Sequence, residues 1–295
     1  MNLSLAYLGP TGTNSETAAL AYADWLAREQ RFNATLQPYP SIAVAMQSVV
    51  EGKVDRAVVP VENSLEGSVT VVLDSLWQTN NLHVHQELTI PIAHGLLSYA
   101  QSLEEIETVY SHPQGIAQCQ KWLANNLPQA QLVSTKSTTE GIKYLQNEPT
   151  SAAVSAPRAA QLYQVPLLRS DIKDRPDNCT RFWIVSQQVS DFGTRLSLAF
   201  SLPRNVPGAL VNALAIFASR NINLSKIESR PTKRSLGEYI FFIDLAGNSH
   251  DAEIRDALND LTNCTEVLKF LVTTSFCRSQ LSKSAASYFE FSKID

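Results

Sequence analysis

Short apolar runs and mixed polar stretches alternate along the first 186 residues. The apolar runs at 3–8, 56–61, 84–92, 108–110, 131–133, 152–155 and 181–186 read as strands. The stretches 15–28, 41–51, 69–77, 114–126, 138–146 and 157–163 read as helices; Ser15 offers an N-cap to the first and Gly52 closes the second. Strands and helices in alternation predict an α/β fold with largely parallel sheets.

The stretch 186–195 has few apolar residues and reads as a linker, predicting two units with cores of their own. Beyond it the order changes. Strands at 196–202, 223–229, 238–246 and 267–275, with helices at 208–219 and 251–261, form a βαββαβ series in about 80 residues, the ferredoxin-like layout. The tail 279–295 is polar and predicted to be loosely held.

A chain of 295 residues exceeds one ordinary core, and at 44% hydrophobic and 18% charged it is globular. Its net charge of −4 argues against nucleic acid or anionic lipid as the main partner. An anionic ligand must therefore be held by local donors. Cysteines at 119, 179, 264 and 277 form no C-x-x-C pair and read as free thiols in a reducing compartment. The N-terminus lacks a basic start and no apolar run approaches the roughly 18 residues of a membrane span. The expectation is a cytoplasmic protein.

The candidate chemistry lies in polar loops following strands. Gly9–Ser15 follows the first strand and opens a helix, so the Thr13 and Ser15 hydroxyls and the free helix N–H groups suit a carboxylate. Glu62-Asn63-Ser64 repeats the arrangement, and Ser111-His112-Pro113-Gln114 follows a third strand with Gln118 one turn on. His112, a lone histidine before a proline, reads as a cap or a satisfied surface group rather than a base. His83 and His85 share a strand face without a third ligand, so no metal site is expected. In Asn178-Cys179-Thr180-Arg181-Phe182 a threonine enters a buried strand and must spend its hydroxyl on a partner or a ligand. Arg181, on the opposite strand face, could bind a carboxylate or serve as an ion-pair partner. Neither Walker A nor G-x-G-x-x-G occurs. The residues alone stop at a small polar anion bound in an α/β cleft.

Taken in order, Gly9-Pro10-x-Gly12-Thr13-x-Ser15, Pro60-Val61-Glu62-Asn63-Ser64-x-Glu66-Gly67-Ser68-Val69, Ser111-His112-Pro113-Gln114 with Gln118, Ser137-Thr138, Ala152-Ala153-Val154 and Asn178-x-Thr180-Arg181-Phe182 resemble the prephenate dehydratase family. The likeness runs from about residue 4 to 278; Asn14 stands where an aromatic is expected. It implies a two-lobed catalytic domain, residues 1–186, similar to a periplasmic binding protein, with the second lobe at about 80–160. The unit at 195–278 resembles an ACT domain. Its phenylalanine site, shared across a subunit interface, is implied at Gly208, Ala209, Leu210 and Val211 and at Glu228, Ser229, Arg230 and Pro231, and backbone carbonyls near Asn223 and Leu224 could accept from the ligand's ammonium.

The resemblance further implies conversion of prephenate to phenylpyruvate, without cofactor or metal, in a dimer or tetramer joined through the ACT domain. Aromatisation drives loss of the C4 hydroxyl and of the C1 carboxylate as CO2. Thr180 is the implied essential residue, hydrogen-bonding the leaving oxygen, with Glu62 the alternative acid. Asn63, Ser111 and Gln118 complete the implied catalytic set. Thr13, Ser15, Ser64, Ser137, Thr138, Asn178 and Arg181 are the implied substrate-binding residues. Arogenate as substrate, or a non-catalytic amino-acid sensor, are the alternatives.

Overall fold

The computed structural model describes residues 2–189, 195–248, 250–273 and 275–276. β1 (Asn2–Leu8) buries Leu5, Ala6 and Tyr7, and α1 (Asn14–Trp25) lies against the sheet through Ala18, Ala19 and Ala21. The Thr13 hydroxyl accepts the Glu16 N–H, so Thr13 rather than Ser15 caps α1. After a π-helical turn at 26–30 come β2 (Asn33–Tyr39), α2 (Ile42–Val50), β3 (Arg56–Asn63), β4 (Gly67–Ser68), α3 (Thr70–Gln78) and β5 (His83–Pro91).

The chain then crosses to a second sheet. This contains β6 (Gly95–Ser98), β7 (Thr108–Ser111), α4 (Pro113–Gln118), α5 (Gln120–Asn126), β8 (Gln131–Ser134), β9 (Ser151–Ser155), α6 (Pro157–Tyr163) and β10 (Leu167–Arg169). It returns as β11 (Cys179–Ser186), which inserts between β5 and β3. The first sheet runs β5-β11-β3-β1-β2, and the second β10-β6-β9-β7-β8. Pairing is parallel within β1–β2–β3 and β8–β7–β9, and antiparallel where β11 meets β3 and β5 and where β6 meets β9 and β10, so each sheet is mixed rather than largely parallel. The second lobe begins after β5, which belongs to the first sheet.

Three local differences have physical causes. The expected helix 114–126 breaks at Cys119, because the Asp174 carboxylate, returning from the crossover, accepts the Lys121 and Trp122 N–H groups and starts α5 afresh. The expected helix 138–146 is only a 3-10 turn at Glu140–Lys143, where Gly141 sits so close to Tyr110 that a side chain there would overlap it. β2 carries little apolar signal because it is an edge strand with alternating exposure.

The last unit holds β12 (Arg195–Ser201), α7 (Ala209–Ala218), β13 (Leu224–Pro231), β14 (Tyr239–Ala246), α8 (Ala252–Cys264) and β15 (Val267–Thr273), in the antiparallel order β13-β14-β12-β15. α7 and α8 cover one face through Ala213, Phe217, Ile254 and Leu258. The other face is not open. Ala199, Ile240, Phe242 and Leu271 join Met46, Leu73, Leu76 and Trp183 of the first lobe in one core. The expectation of two separate cores is thereby corrected: the sheet's apolar face is completed by α2, α3 and β11. After β15 the chain adds β16 (Ser275–Phe276) in parallel to β5. Cys119, Cys179 and Cys264 are free thiols. Residues 190–194 of the expected linker, Cys277 and the tail 279–295 lie outside the described residues. No helix among those described is long and apolar enough to cross a membrane.

Candidate active site

β3 and β11 are antiparallel neighbours in which Thr180 faces Asn63 and Arg181 faces Glu62. Alternation along the two strands sends each pair to its own side of the sheet. The Asn63–Thr180 side meets the two crossovers between the lobes. There Asn63 Nδ2 donates to Thr180 Oγ1 (2.9 Å) and to Asn178 Oδ1 (2.9 Å). Asn178 Nδ2 donates to Gln118 Oε1 (2.9 Å), which also bonds His94 Nε2 at 2.8 Å. Asn63, Asn178, Thr180, Gln118 and His94 are all buried, with Thr180 7% exposed.

The direction of this chain of bonds is fixed at both ends. Asn63 Oδ1 accepts the Leu65 and Glu66 backbone N–H groups at 2.9 and 3.1 Å, which forces Nδ2 toward Thr180. At the far end Gln118 Oε1 accepts from Asn178, so His94 must present Nε2 as a donor. Burial, reinforced by the Lys173 charge, holds the His94 pKa below its ordinary value against the opposing Gln118 bond. Because Thr180 Oγ1 accepts from Asn63, its own proton is left to donate elsewhere. Ser64 lies at the edge, its hydroxyl donating to Asn178 Oδ1 and accepting the Cys179 N–H.

A cleft of about 720 Å3 opens between loops of the two lobes. The first lobe lines it with Thr13, Asn14 and Ser15, and the second with His112, Gln114, Ser137 and Thr138. Lys136 and Lys143 add positive charge that the motifs did not single out. Gln114 in this cleft and Gln118 in the hydrogen-bonded chain both belong to α4, one turn apart, or roughly 6 Å along the axis. The lobes are also latched directly: Glu16 Oε2 accepts from Arg158 Nε (2.9 Å) and from the Gly12 N–H (2.8 Å), and Tyr163 donates to the Thr11 carbonyl. His112 accepts the Gln114 N–H as the cap of α4.

Three expected residues are placed elsewhere. Ser111 is fully buried, donating to the Val154 carbonyl behind Gly115. Glu62 and Arg181 face away from Thr180. Arg181 binds Glu62 (2.8 Å), Glu87 (3.2 Å) and Asp244 (2.6 Å), and Glu62 also binds Lys226 (3.3 Å). Burial alone would lower the Arg181 pKa, but the Asp244 and Glu87 carboxylates outweigh it and hold it above the usual value. Of the two readings left open for Arg181, ion-pair partner is the one realised. His94 was missed, since it sits in no motif; its only signal was a histidine inside the apolar stretch 88–97.

In the last unit, Gly208, Ala209, Leu210 and Val211 line a second cavity of about 770 Å3 with the 234–239 hairpin. Gly208 has a φ of +84°, which favours glycine. Asn223 and Leu224 lie at the opposite end of β13. Glu228 and Arg230 turn to the first lobe, where they meet Ser68 and Asp74. Ser229 and Pro231 are exposed.

The family model for prephenate dehydratase matches residues 5–190, and that for the ACT domain matches 197–263. A prephenate dehydratase from Lactococcus lactis is 37% identical over 268 residues, covering 88% of this chain and 93% of the relative. A bifunctional chorismate mutase/prephenate dehydratase from Aquifex aeolicus is 36% identical over 271 residues, covering 91% of this chain and 72% of the relative. The crystal structure of a prephenate dehydratase in complex with L-Phe from Arthrobacter aurescens superposes with a TM-score of 0.83 at 34% identity, covering 95% of this chain and 92% of that one.

Proposed function

Because the chain belongs to the prephenate dehydratase family, we propose that it converts prephenate to phenylpyruvate in phenylalanine biosynthesis and is regulated by phenylalanine through its ACT domain. The carrying observation is the fixed direction of the Asn63–Thr180 bond, which leaves the threonine proton for a ligand. Prephenate is a dianion. Cleavage of the C–C bond to the ring carboxylate returns its electron pair to the ring as CO2 leaves. The C4–O pair departs with the oxygen, and with one proton taken up the leaving group is water. Thr180 hydrogen-bonds that oxygen as its charge develops, a contact stronger in the transition state than in the ground state. Asn63, Asn178, Gln118 and Ser64 hold the hydroxyl in place. The Ser15, Ser137 and Thr138 hydroxyls with Lys136 and Lys143 hold carboxylate charge, while Thr13, whose proton goes to the Pro10 carbonyl, shapes the loop as the cap of α1.

Residues up to about 186 carry this chemistry, and phenylalanine binds from 195 onward. Gly208 and Asn223 sit at opposite ends of β13, whose eight residues span roughly 25 Å, beyond the reach of one amino acid. A second copy related by a two-fold axis perpendicular to β13 at its free edge runs antiparallel to it, brings its Asn223 end beside Gly208 and covers Ile227, which is half exposed on that edge. The proposed assembly is a dimer, or a tetramer of such dimers.

Incubation with prephenate or arogenate tests the reading directly. Phenylpyruvate from prephenate is expected; phenylalanine formed only from arogenate reassigns the substrate, and no turnover of either leaves a sensor. Calorimetry with Gly208→Val is expected to show loss of phenylalanine binding, since a β-branched residue resists positive φ and would move the start of α7.

A further inference from the structure

Each member of the Asn63–Thr180 pair has a chain neighbour that is ion-paired to the regulatory sheet. Thr180 precedes Arg181, whose guanidinium is 2.6 Å from Asp244 of β14. Asn63 follows Glu62, whose carboxylate is 3.3 Å from Lys226 of β13. Asp244 is itself oriented, accepting the Ser197 hydroxyl at 2.6 Å. Glu87 on β5 completes the group, binding Arg181, Arg195 and the Trp183 indole N–H. Three cations (Arg181, Arg195, Lys226) thus meet three carboxylates (Glu62, Glu87, Asp244), drawn from both units.

The contact continues along β13. Lys226, Glu228 and Arg230, alternate residues on one strand face, meet Glu62, Ser68 and Asp74 in turn. Ser68 is paired with Glu62 across β3 and β4, so it ends the same turn whose backbone N–H groups aim Asn63 at Thr180. Two adjacent regulatory strands therefore grip the two catalytic strands one residue behind the reacting side chains. Side chains on opposite sides of a strand share its backbone, so a shift of the grip moves Thr180 and Asn63.

We propose that Asp244 and Lys226 are positioning residues for the dehydration, and that this ion cluster is the route by which a ligand in the ACT domain alters turnover. The second half rests on the reading of phenylalanine as regulator. Ligand that favours one seating of the β13–β14 pair changes the Arg181–Asp244 and Glu62–Lys226 contacts together, and with them the alignment of the Thr180 proton.

The test uses the full chain with Asp244→Asn and Lys226→Met. A loss of alignment well under 1 Å is expected to lower kcat by roughly 10- to 100-fold with KM within about threefold. Phenylalanine is expected still to bind by calorimetry, its affinity shifted by no more than the coupling between the sites, roughly 5- to 150-fold, while the change in kcat at saturating phenylalanine is abolished. A lowered Tm with kcat and phenylalanine response both unchanged would show a merely structural cluster and overturn the proposal. If Asp244→Asn does not fold, Ser197→Ala and Lys226→Met carry the same readouts. Should the wild-type chain show no response to phenylalanine, the regulatory reading fails by itself, and the kcat of the variants still decides the positioning role.

Discussion

Replacing Thr180 by alanine removes one donor from the leaving oxygen and should lower kcat by at least about 100-fold, with the fold intact and stability lower by only about 1 kcal/mol for the lost Asn63 bond. Thr180→Ser keeps the hydroxyl that Asn63 addresses and should retain more turnover. Near-normal turnover in the alanine variant would remove Thr180 from the chemistry. His94→Leu strips one of the two donors that hold Gln118 and should lower kcat up to about tenfold, the scale of one buried hydrogen bond. His94→Gln, which can donate from nearly the same place, should recover part of the loss; equal loss in both would show that the ring matters for packing instead. Thr180, Asn63, Asn178 and Gln118 were legible because their motifs could be aligned in order. His94 was not, since its role depends on a bond to a residue 24 positions away.

At the scale of the strand, what was hidden was the side each residue faces. Alternation put Thr180 and Arg181 on opposite faces, but only the pairing of β11 between β3 and β5 shows that the Arg181 side faces another unit. Glu62 was misassigned for the same reason: it neighbours Asn63 in sequence and lies behind it in space. Arg181→Met leaves Glu87 and Asp244 buried without their main partner and should cost about 3–5 kcal/mol of stability. Chemical denaturation measures that loss, and KM should stay near the wild-type value, because Arg181 does not reach the cleft. A KM raised by an order of magnitude would restore Arg181 as a substrate ligand. Helices were read well where caps are local, as at Ser41, and badly where the cap came from afar, as with Asp174 at α5.

For the whole molecule, both fold types and their order were legible in periodicity, but the shared core was not: Ile240 and Phe242 look like any inward strand residues. A chain ended at 186 exposes Met46, Leu73, Leu76 and Trp183 and deprives Arg181 of Asp244. It should aggregate or melt well below the full protein, measured by light scattering and calorimetry, and a soluble fragment of undiminished Tm would contradict the shared core. Acid should also destabilise the molecule. Burial holds His83 and His94 below their ordinary pKa and takes His85 to about 4. The folded state therefore binds fewer protons than the unfolded one, so stability is full above the unfolded value of 6.5 and falls as pH drops toward about 4. A Tm unchanged across that window would show these rings to be solvated.

The last described strand, β16, lies on β5 of the first sheet, so the regulatory unit is fastened to the catalytic one at both of its ends. A module strung on a single connection can swivel and drift away. One stitched down at entry and exit can only tilt about the line between its stitches. Ligand-driven motion here is thereby confined to a rocking of few degrees of freedom, and the unit cannot be exchanged for another without leaving the edge of β5 bare. Hydrogen exchange at the β5 amides opposite Ser275 and Phe276 should report that rocking, slowing or quickening with phenylalanine while the far strands β1 and β2 stay unchanged.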